Sequence, residues 1–591
     1  MTYLPVPPLA HTLARYQEVV SPLLEEHEAA RTAEICAEFE AGDGPRLQEA
    51  LERNAEAANG DGTSWLTDLW YAAYLASRTP LTLTSNVGFE LAWPEEDEGL
   101  DRATRLAHRL ARIHLHHTRG EIEPQTSPRG EALCMRQWSY LAGGMRRPGA
   151  EIDEIVPGPE DPARREIVVL HRGRAFAVPV SDEHGDVIPL SALRTAFEGV
   201  LATTADAPAT GWGEGEETPF SAWSYLGSVE AAAYERELLA DSHNADTYDR
   251  LLRAFFVFTL LDDAATPEEH ALDTAFTYGR TWPFKPVGYL ACLADRYAGM
   301  HIEHTVADGG TLQTAIGLAQ ELPDDPDTPR DEIDEAAAGS GEADSPHEAG
   351  VEGPEPLTWT LTDDQRARLA ADVAVYEEEA AHVRLRVVRA PIIDGGGRRI
   401  SADAVQQLAI LYAQLRTYGR VRSTYESVDM REFQAGRTEA MRPVTPEAVT
   451  LAQAMVADAA TPGQLDAAFA AHKRRIIQCK KGEGVDRHLL GLRVMAGELG
   501  LSTALFEDAA YRRLTTDFLS TTSLGTDDRI VRYIFAPTTD GGIGVDYSRR
   551  STGEYEFVLI HGPKRDGDIE EFAAALEDGI SRIAALVATT G

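Results

Sequence analysis

A chain of 591 residues, 43% of them hydrophobic, has ample material to bury, and its length implies a few domains at most. Its 55 basic and 96 acidic side chains leave a formal charge of −41, which argues against a nucleic-acid or anionic-membrane binder, because both need a basic face. Four cysteines form no Cys-x-x-Cys pair, no apolar run approaches the about 18 residues of a membrane span, and MTYLPVPPLAHTL lacks the charged head and apolar stretch of a secretory signal. A soluble, cytoplasmic, monomeric protein with reduced thiols is the expectation.

Residues 11–58 and 101–117 carry Ala, Leu, Glu and Arg at helical spacing, so the chain opens with helices. EIVVLHRGRAFAVPV (166–180) reads as a hairpin around a Gly-containing turn. GYLACLADRYAGMHIEH (288–304) reads as two more strands, and TLQTAIGLAQEL (311–322) as a helix. The acidic, Pro- and Gly-rich stretch 323–356 has no aromatics and cannot offset its ordering entropy, so it is expected to be a disordered linker. It divides an N-terminal half, 1–322, from a C-terminal half, 357–591. Helices are predicted at 362–388 and 401–418, the latter capped by Ser401. Strands follow at 529–537 and 555–562, and an amphipathic helix at 568–587. Mixed helices and strands in both halves predict α/β layers, and no repeat of 20 to 50 residues is visible.

The chemistry concentrates at HIEHTVADGG (301–310). His-x-x-His binds metal when both rings share a helix face, but the apolar run before it predicts a strand, where positions i and i+3 face opposite sides. No His-Glu-x-x-His accompanies it, so no metal is expected; IHLHH (113–117) reads as a solvated helix face. His304 ends the strand, and Asp308-Gly309 follow at the turn into the helix. A base can reach a substrate from such a place, with a carboxylate nearby to orient its ring. A structural core histidine is the alternative.

His304-x-x-x-Asp308-Gly309 resembles the signature of CoA-dependent acyltransferases, which include chloramphenicol acetyltransferases and condensation domains. STYESVDMREFQAGRTE (423–439), GVDRHLLGLRV (484–494) and FLSTTS (518–523) follow in order. Together with LPVPPL (4–9), SWLTDLWYAAYLASRTPLTLTSN (64–86) and CMRQW (134–138), they resemble the carnitine/choline acyltransferase family from about residue 3 to 588. The resemblance implies two similar α/β domains of the chloramphenicol acetyltransferase type with a tunnel between them. It also implies reversible transfer of an acyl group between CoA and the carnitine hydroxyl, with CoA or acyl-CoA as co-substrate, no tightly bound cofactor and no acyl-enzyme.

In that family frame His304 is the general base, Asp308 its supporting acid, and His301 structural. Ser520 and Thr522 are the oxyanion donors, with Ser523 as alternative, because one residue is added before the next strand. Arg487 binds the carnitine carboxylate with Tyr425, Ser427 and Thr438, the Tyr-to-Thr spacing of thirteen fitting the pattern. The bland alternative pairs Arg487 with Asp486 at the surface. Phe535 and Tyr74 wall the trimethylammonium group. CoA phosphates fall to Lys473, Arg398 and Arg399, with Asp403 at the start of the following helix. AHKRRIIQCKK (471–481), holding three of the chain's five lysines, is the expected basic patch. Tyr533 stands where a bulky residue closes the acyl pocket, which favours short to medium chains. The rival readings are a CoA-dependent acyltransferase for another alcohol or amine, such as choline, and a catalytically silent CoA-binding protein.

Overall fold

The computed structural model describes residues 1–93, 97–207, 218–323, 353–397 and 399–589. Arg398 and most of the expected linker 323–356 lie outside the described residues. Two large sheets carry the fold, and the architecture is mixed α/β. The first has eight strands in the order Ile530–Phe535, Val87–Leu91, Ala298–Ile302, Val287–Cys292, Val257–Leu261, Glu166–His171, Arg174–Pro179 and Glu355–Leu357. The second has six, in the order Arg384–Pro391, Glu554–His561, Ile543–Arg549, Leu519–Thr526, Thr424–Asp429 and Thr438–Met441. No described helix is long and apolar enough to cross a membrane.

The predicted hairpin at 166–180 forms as the antiparallel pair Glu166–His171 and Arg174–Pro179. Its β-branched and aromatic residues (Ile167, Val169, Phe176, Val178) are buried in the main core of the first sheet. The C-terminal helix runs from Ile569 to Ala588 and packs with helix Ala402–Tyr418 over the second sheet through Phe572, Leu576, Tyr412 and Leu408. Ser401 caps the latter helix, its hydroxyl accepting from the Ala404 amide at 3.3 Å.

Three expectations are corrected. The helix predicted over 362–388 spans only Asp363–Ala380, because RLRVVRAP (384–391), with adjacent valines and a proline, forms an edge strand instead. In IHLHH, His114 is not solvated: it is fully buried, its ring bonded to the Leu141 carbonyl at 2.6 Å and packed on Phe256. The helix Gly99–Thr118 turns this histidine toward the sheet together with Leu110, Ala111 and Ile113. The sheets also do not divide the chain at 323–356. Strand Glu355–Leu357 adds to the edge of the first sheet, and Leu369 and Val373 of helix Asp363–Ala380 pack on its core.

The halves interlock further. Strand Ile530–Phe535 leaves the C-terminal half and pairs antiparallel with Val87–Leu91, placing Val87 opposite Phe535 and Phe89 opposite Tyr533. On its other edge Val87–Leu91 pairs with Ala298–Ile302. Gly88 lets helix Pro267–Phe276 lie directly on this strand, for a Cβ there would stand 2.8 Å from the Ala275 Cβ. In return, N-terminal helices Leu9–Val20 and Gly44–Gly60 pack on helix Asp486–Glu498, where His488 bonds Thr12 at 2.7 Å and Gln48 at 3.0 Å. His304, just past the end of one sheet, and Arg487, beside the other, thereby come to line one cavity.

Candidate active site

Strand Ala298–Ile302 stops two residues before His304, which sits in the turn leading to helix Gly309–Glu321. His301, still in the strand, is buried; its Nδ1–H donates to the Thr274 carbonyl at 2.9 Å and its Nε2 accepts from Asn86 at 3.0 Å. Burial pushes its pKa down to about 4, so it stays neutral and structural.

His304 is different: its side chain keeps 19% exposure and lines a cavity of about 510 Å³. Its Nδ1–H donates to the Ala307 carbonyl at 2.7 Å, which fixes the tautomer and leaves the Nε2 lone pair unused. Tyr74 meets the ring edge-on at a centroid distance of 5.7 Å. Asp308 does not accept from His304 directly, as its nearest carboxylate oxygen is 3.9 Å from Nδ1. It is instead gripped by Arg437, Nε to Oδ2 at 2.9 Å and Nη2 to Oδ1 at 3.0 Å, and by Gln137 at 2.8 Å. The same guanidinium donates to the backbone carbonyls of His304 and Thr305. Asp308 thus shapes the turn that carries His304, and the ring itself is oriented by a carbonyl.

The residues expected to hold the acceptor, Tyr74, Tyr425, Ser427, Thr438, Arg487 and Phe535, line this same cavity, as does Thr522, expected as an oxyanion donor. Alternation in strand Thr424–Asp429 turns Tyr425 and Ser427 to one face and buries Thr424, Glu426 and Val428 on the other. Arg487, in the first turn of helix Asp486–Glu498, donates Nε–H to the Thr438 carbonyl at 3.0 Å and lies 5.0 Å over the Trp70 ring. Neither of its two Nη groups has a partner among the described residues. The surface pair with Asp486 is overturned: Arg442 takes Asp486, with Nε to Oδ2 at 3.0 Å, and also binds Asp517.

Within Ser520–Ser523 each hydroxyl has its own fate. Ser520 is buried and bonded to Thr538. Thr521 faces the opposite side, donating to the Tyr425 carbonyl at 2.7 Å. Thr522 opens onto the cavity, and Ser523 accepts from the Gly525 amide in an irregularity of the strand between Thr522 and Gly525. Up to Thr522 the strand stays in regular parallel register with Ile543–Arg549. Tyr533 and Phe535, on the strand lent to the first sheet, also line the cavity, with rings 5.4 Å apart.

The expected CoA patch is less basic than its sequence. Helix Pro462–Lys480 spreads its cations around the axis; Arg475 pairs with Glu18 at 2.9 Å, Arg474 with Glu447 at 2.8 Å and Lys480 with Glu432 at 2.9 Å. Lys473 and Arg399 remain exposed. Asp403 turns inward, accepting from His472 and from Tyr547, each at 2.7 Å, which ties helix Ala402–Tyr418 to the helix bearing Lys473. Burial, with the His472 and Tyr547 bonds opposing it, leaves Asp403 below the usual carboxylate range, whereas burial beside Asp403 drives Glu426 well above it. Asp403, Glu426 and His472 form one of two groups among the described residues whose ligating atoms approach a metal-like spacing, the other being His270, Cys292 and Asp295. Neither includes His304.

Trp70, Gln137, Arg437 and Arg442 were not foreseen. Trp70 lies between two guanidinium groups, Arg437 at 4.5 Å and Arg487 at 5.0 Å, and stacks on Tyr74 at 5.1 Å. Its signal was the aromatic density of SWLTDLWYAAYL, and that of Arg437 its place beside Thr438 in GRTE.

Compared with known proteins, residues 4–578 match the family described as Choline/Carnitine o-acyltransferase. The chain belongs to that family. As a member of the choline/carnitine O-acyltransferases it is an acyltransferase. It is 27% identical over 586 residues to the carnitine O-acetyltransferase of Columba livia, covering 93% of this chain and 87% of that one. It is 26% identical over 597 residues to the mitochondrial carnitine O-palmitoyltransferase 2 of Bos taurus, covering 92% and 86%. The human carnitine O-acetyltransferase is 26% identical over 586 residues, covering 92% and 87%.

Proposed function

We propose that this acyltransferase moves a short to medium acyl group reversibly between CoA and the hydroxyl of carnitine. The observation that carries the reading is Arg487: a guanidinium with Nε anchored, both Nη groups without a partner among the described residues, lining the cavity that His304 shares. A carboxylated acceptor matches that fork bidentately. Tyr425, Ser427 and Thr438 add hydroxyls on the same wall, and Phe535 gives the trimethylammonium group an aromatic face. Choline has no carboxylate to use the fork.

The chemistry follows from the ring. His304 Nε2 takes the hydroxyl proton as the carnitine oxygen attacks the thioester carbonyl, a service that contributes about 10²–10⁴-fold. The new oxyanion accepts from the Thr522 hydroxyl, with Ser520 behind it on the same face of the strand. Collapse breaks the carbon–sulfur bond, and the leaving thiolate takes the proton back from Nε2 as free CoA. The acyl group passes directly between the two substrates, with no acyl-enzyme. Arg437 and the Ala307 carbonyl hold the imidazole in place throughout. CoA phosphates are assigned to the exposed cations Lys473 and Arg399. Tyr533 narrows the acyl side of the cavity.

The test is thiol release from acetyl-CoA by the purified chain, with and without carnitine. Release that requires carnitine is the expected result. Absence of release at every acyl length would defeat the reading, and equal release with choline would redirect it to another acceptor.

A further inference from the structure

A second cavity, of about 810 Å³, lies at the C-terminal end of helix Ala402–Tyr418, between the segment 419–423, Phe518 and the turn carrying Lys564 and Arg565. Five cations line it: Arg420, Arg422, Arg513, Lys564 and Arg565. In a chain with 96 acidic and 55 basic side chains, most arginines find a carboxylate, and three of these five do. Arg513 pairs with Glu28 at 2.6 Å, Arg565 with Asp568 at 3.0 Å, and Lys564 with Asp540. Arg420 and Arg422 form no ion pair among the described residues.

Arg422 is the informative side chain. Its guanidinium is stacked 4.0 Å over Phe518 and 5.0 Å over Tyr418, and Arg565 approaches the same two rings at 5.7 and 5.8 Å. Its Nε is buried without a hydrogen-bond partner, as is that of Arg565. Burial, then the neighbouring positive charges of Arg420 and Arg565, lowers its pKa. The stacking holds the Arg422 guanidinium beside that of Arg565 over the same two rings, and Asp568, which pairs with Arg565, is the nearest carboxylate to offset their repulsion. A structural role would be to bond the carbonyls at the end of the helix, yet neither arginine does so.

We infer that this cavity is a binding site for a small phosphate-bearing anion, held by Arg420, Arg422 and Arg565. A concave space of this size suits a small molecule. Guanidinium groups present planar forks to phosphate oxygens. An anionic bilayer is disfavoured by the −41 charge of the surrounding protein. The site is separate from the CoA phosphate assignment: Asp403 and Arg399 stand at the other end of helix Ala402–Tyr418, whose 17 residues span about 25 Å. It does adjoin the acceptor cavity, because Ser423 lines it and donates to Asp517 at 3.0 Å in the wall of the other.

Calorimetric titration of the full chain with inorganic pyrophosphate tests the inference without any turnover, so its failure leaves the proposed reaction untouched. Saturable binding is expected, weakened at least tenfold in the Arg420→Gln/Arg422→Gln double variant and unchanged by saturating CoA. The exposed Arg420→Gln alone, which spares the buried contacts, is expected to weaken binding about threefold if the double variant does not fold. No binding, equal affinity in the variants, or displacement by CoA would overturn it. So would sedimentation with phosphatidylglycerol vesicles in place of pyrophosphate binding.

Discussion

Replacing Arg487 by asparagine removes the fork without disturbing the base. In the native protein Nε is spent on the Thr438 carbonyl, so under the proposed function recognition of the carboxylate falls to the two Nη groups. A hydrogen bond to a charged group contributes about 1.5–3 kcal/mol, and a partly solvated cavity puts the whole fork in that range. At about 1.4 kcal/mol per factor of ten, the KM for carnitine should rise by about 10- to 150-fold. The substitution also loses the contact over Trp70, about 0.5–1 kcal/mol, which stabilises the arginine and not the substrate, so it shows in thermal stability. Arg487→Lys keeps the charge but cannot bond Thr438 and a carboxylate as a fork, so it should fall between. Initial rates of thiol release, with carnitine and choline varied separately, measure both. If carnitine kinetics are unchanged, or if choline suffers by the same factor, the carboxylate assignment is wrong.

Other expectations follow from neighbouring groups. His304→Ala should lower turnover by at least about 10²-fold while calorimetry still detects CoA, since the ring supplies proton transfer and not the phosphate contacts. Arg437→Gln leaves Asp308 buried beside Gln137 alone and should cost about 3–5 kcal/mol in denaturant unfolding; adding Asp308→Asn should recover part of that loss. Tyr533→Gly should shift an acyl-CoA chain-length panel toward longer chains, at a stability cost because its ring packs on Phe89 at 4.6 Å. Burial pushes the Asp546 pKa up to about 8, so the unfolded chain releases this proton first and this group's contribution to stability falls as pH rises from about 4 to 8. Asp546→Asn, which can still accept from the Tyr533 amide, should remove that slope in melts taken across the window.

The sequence made His304, its histidine neighbour and the acceptor wall legible because each is announced by residues close in the chain. Helix and strand periods placed a turn between a strand ending at 304 and a helix starting at 311, against the observed ends at 302 and 309, and Tyr425, Thr438 and Arg487, taken from the motifs, line one cavity. Long-range pairing was not legible. Nothing in RIVRYIF says that its partner is Val87–Leu91, more than four hundred residues away, since a buried strand has the same pattern whichever sheet it joins. The basic run at 471–481 misled for a related reason: Glu18 and Glu432, which neutralise Arg475 and Lys480, are remote in sequence. The direct support expected of Asp308 came out differently because a carbonyl three residues from His304 reaches the ring first.

The strand exchanged between the halves bears on how substrates can arrive. With Ile530–Phe535 laddered into the sheet that ends at His304, a hinge opening would have to tear five paired residues from Val87–Leu91. The cleft is therefore stapled, and traffic must pass along it by threading, not by a jaw that gapes. The same staple means that a fragment ending before residue 530 would leave Val87–Leu91 as a raw edge, prone to pair with another chain. Co-expressing the missing piece should cure that defect.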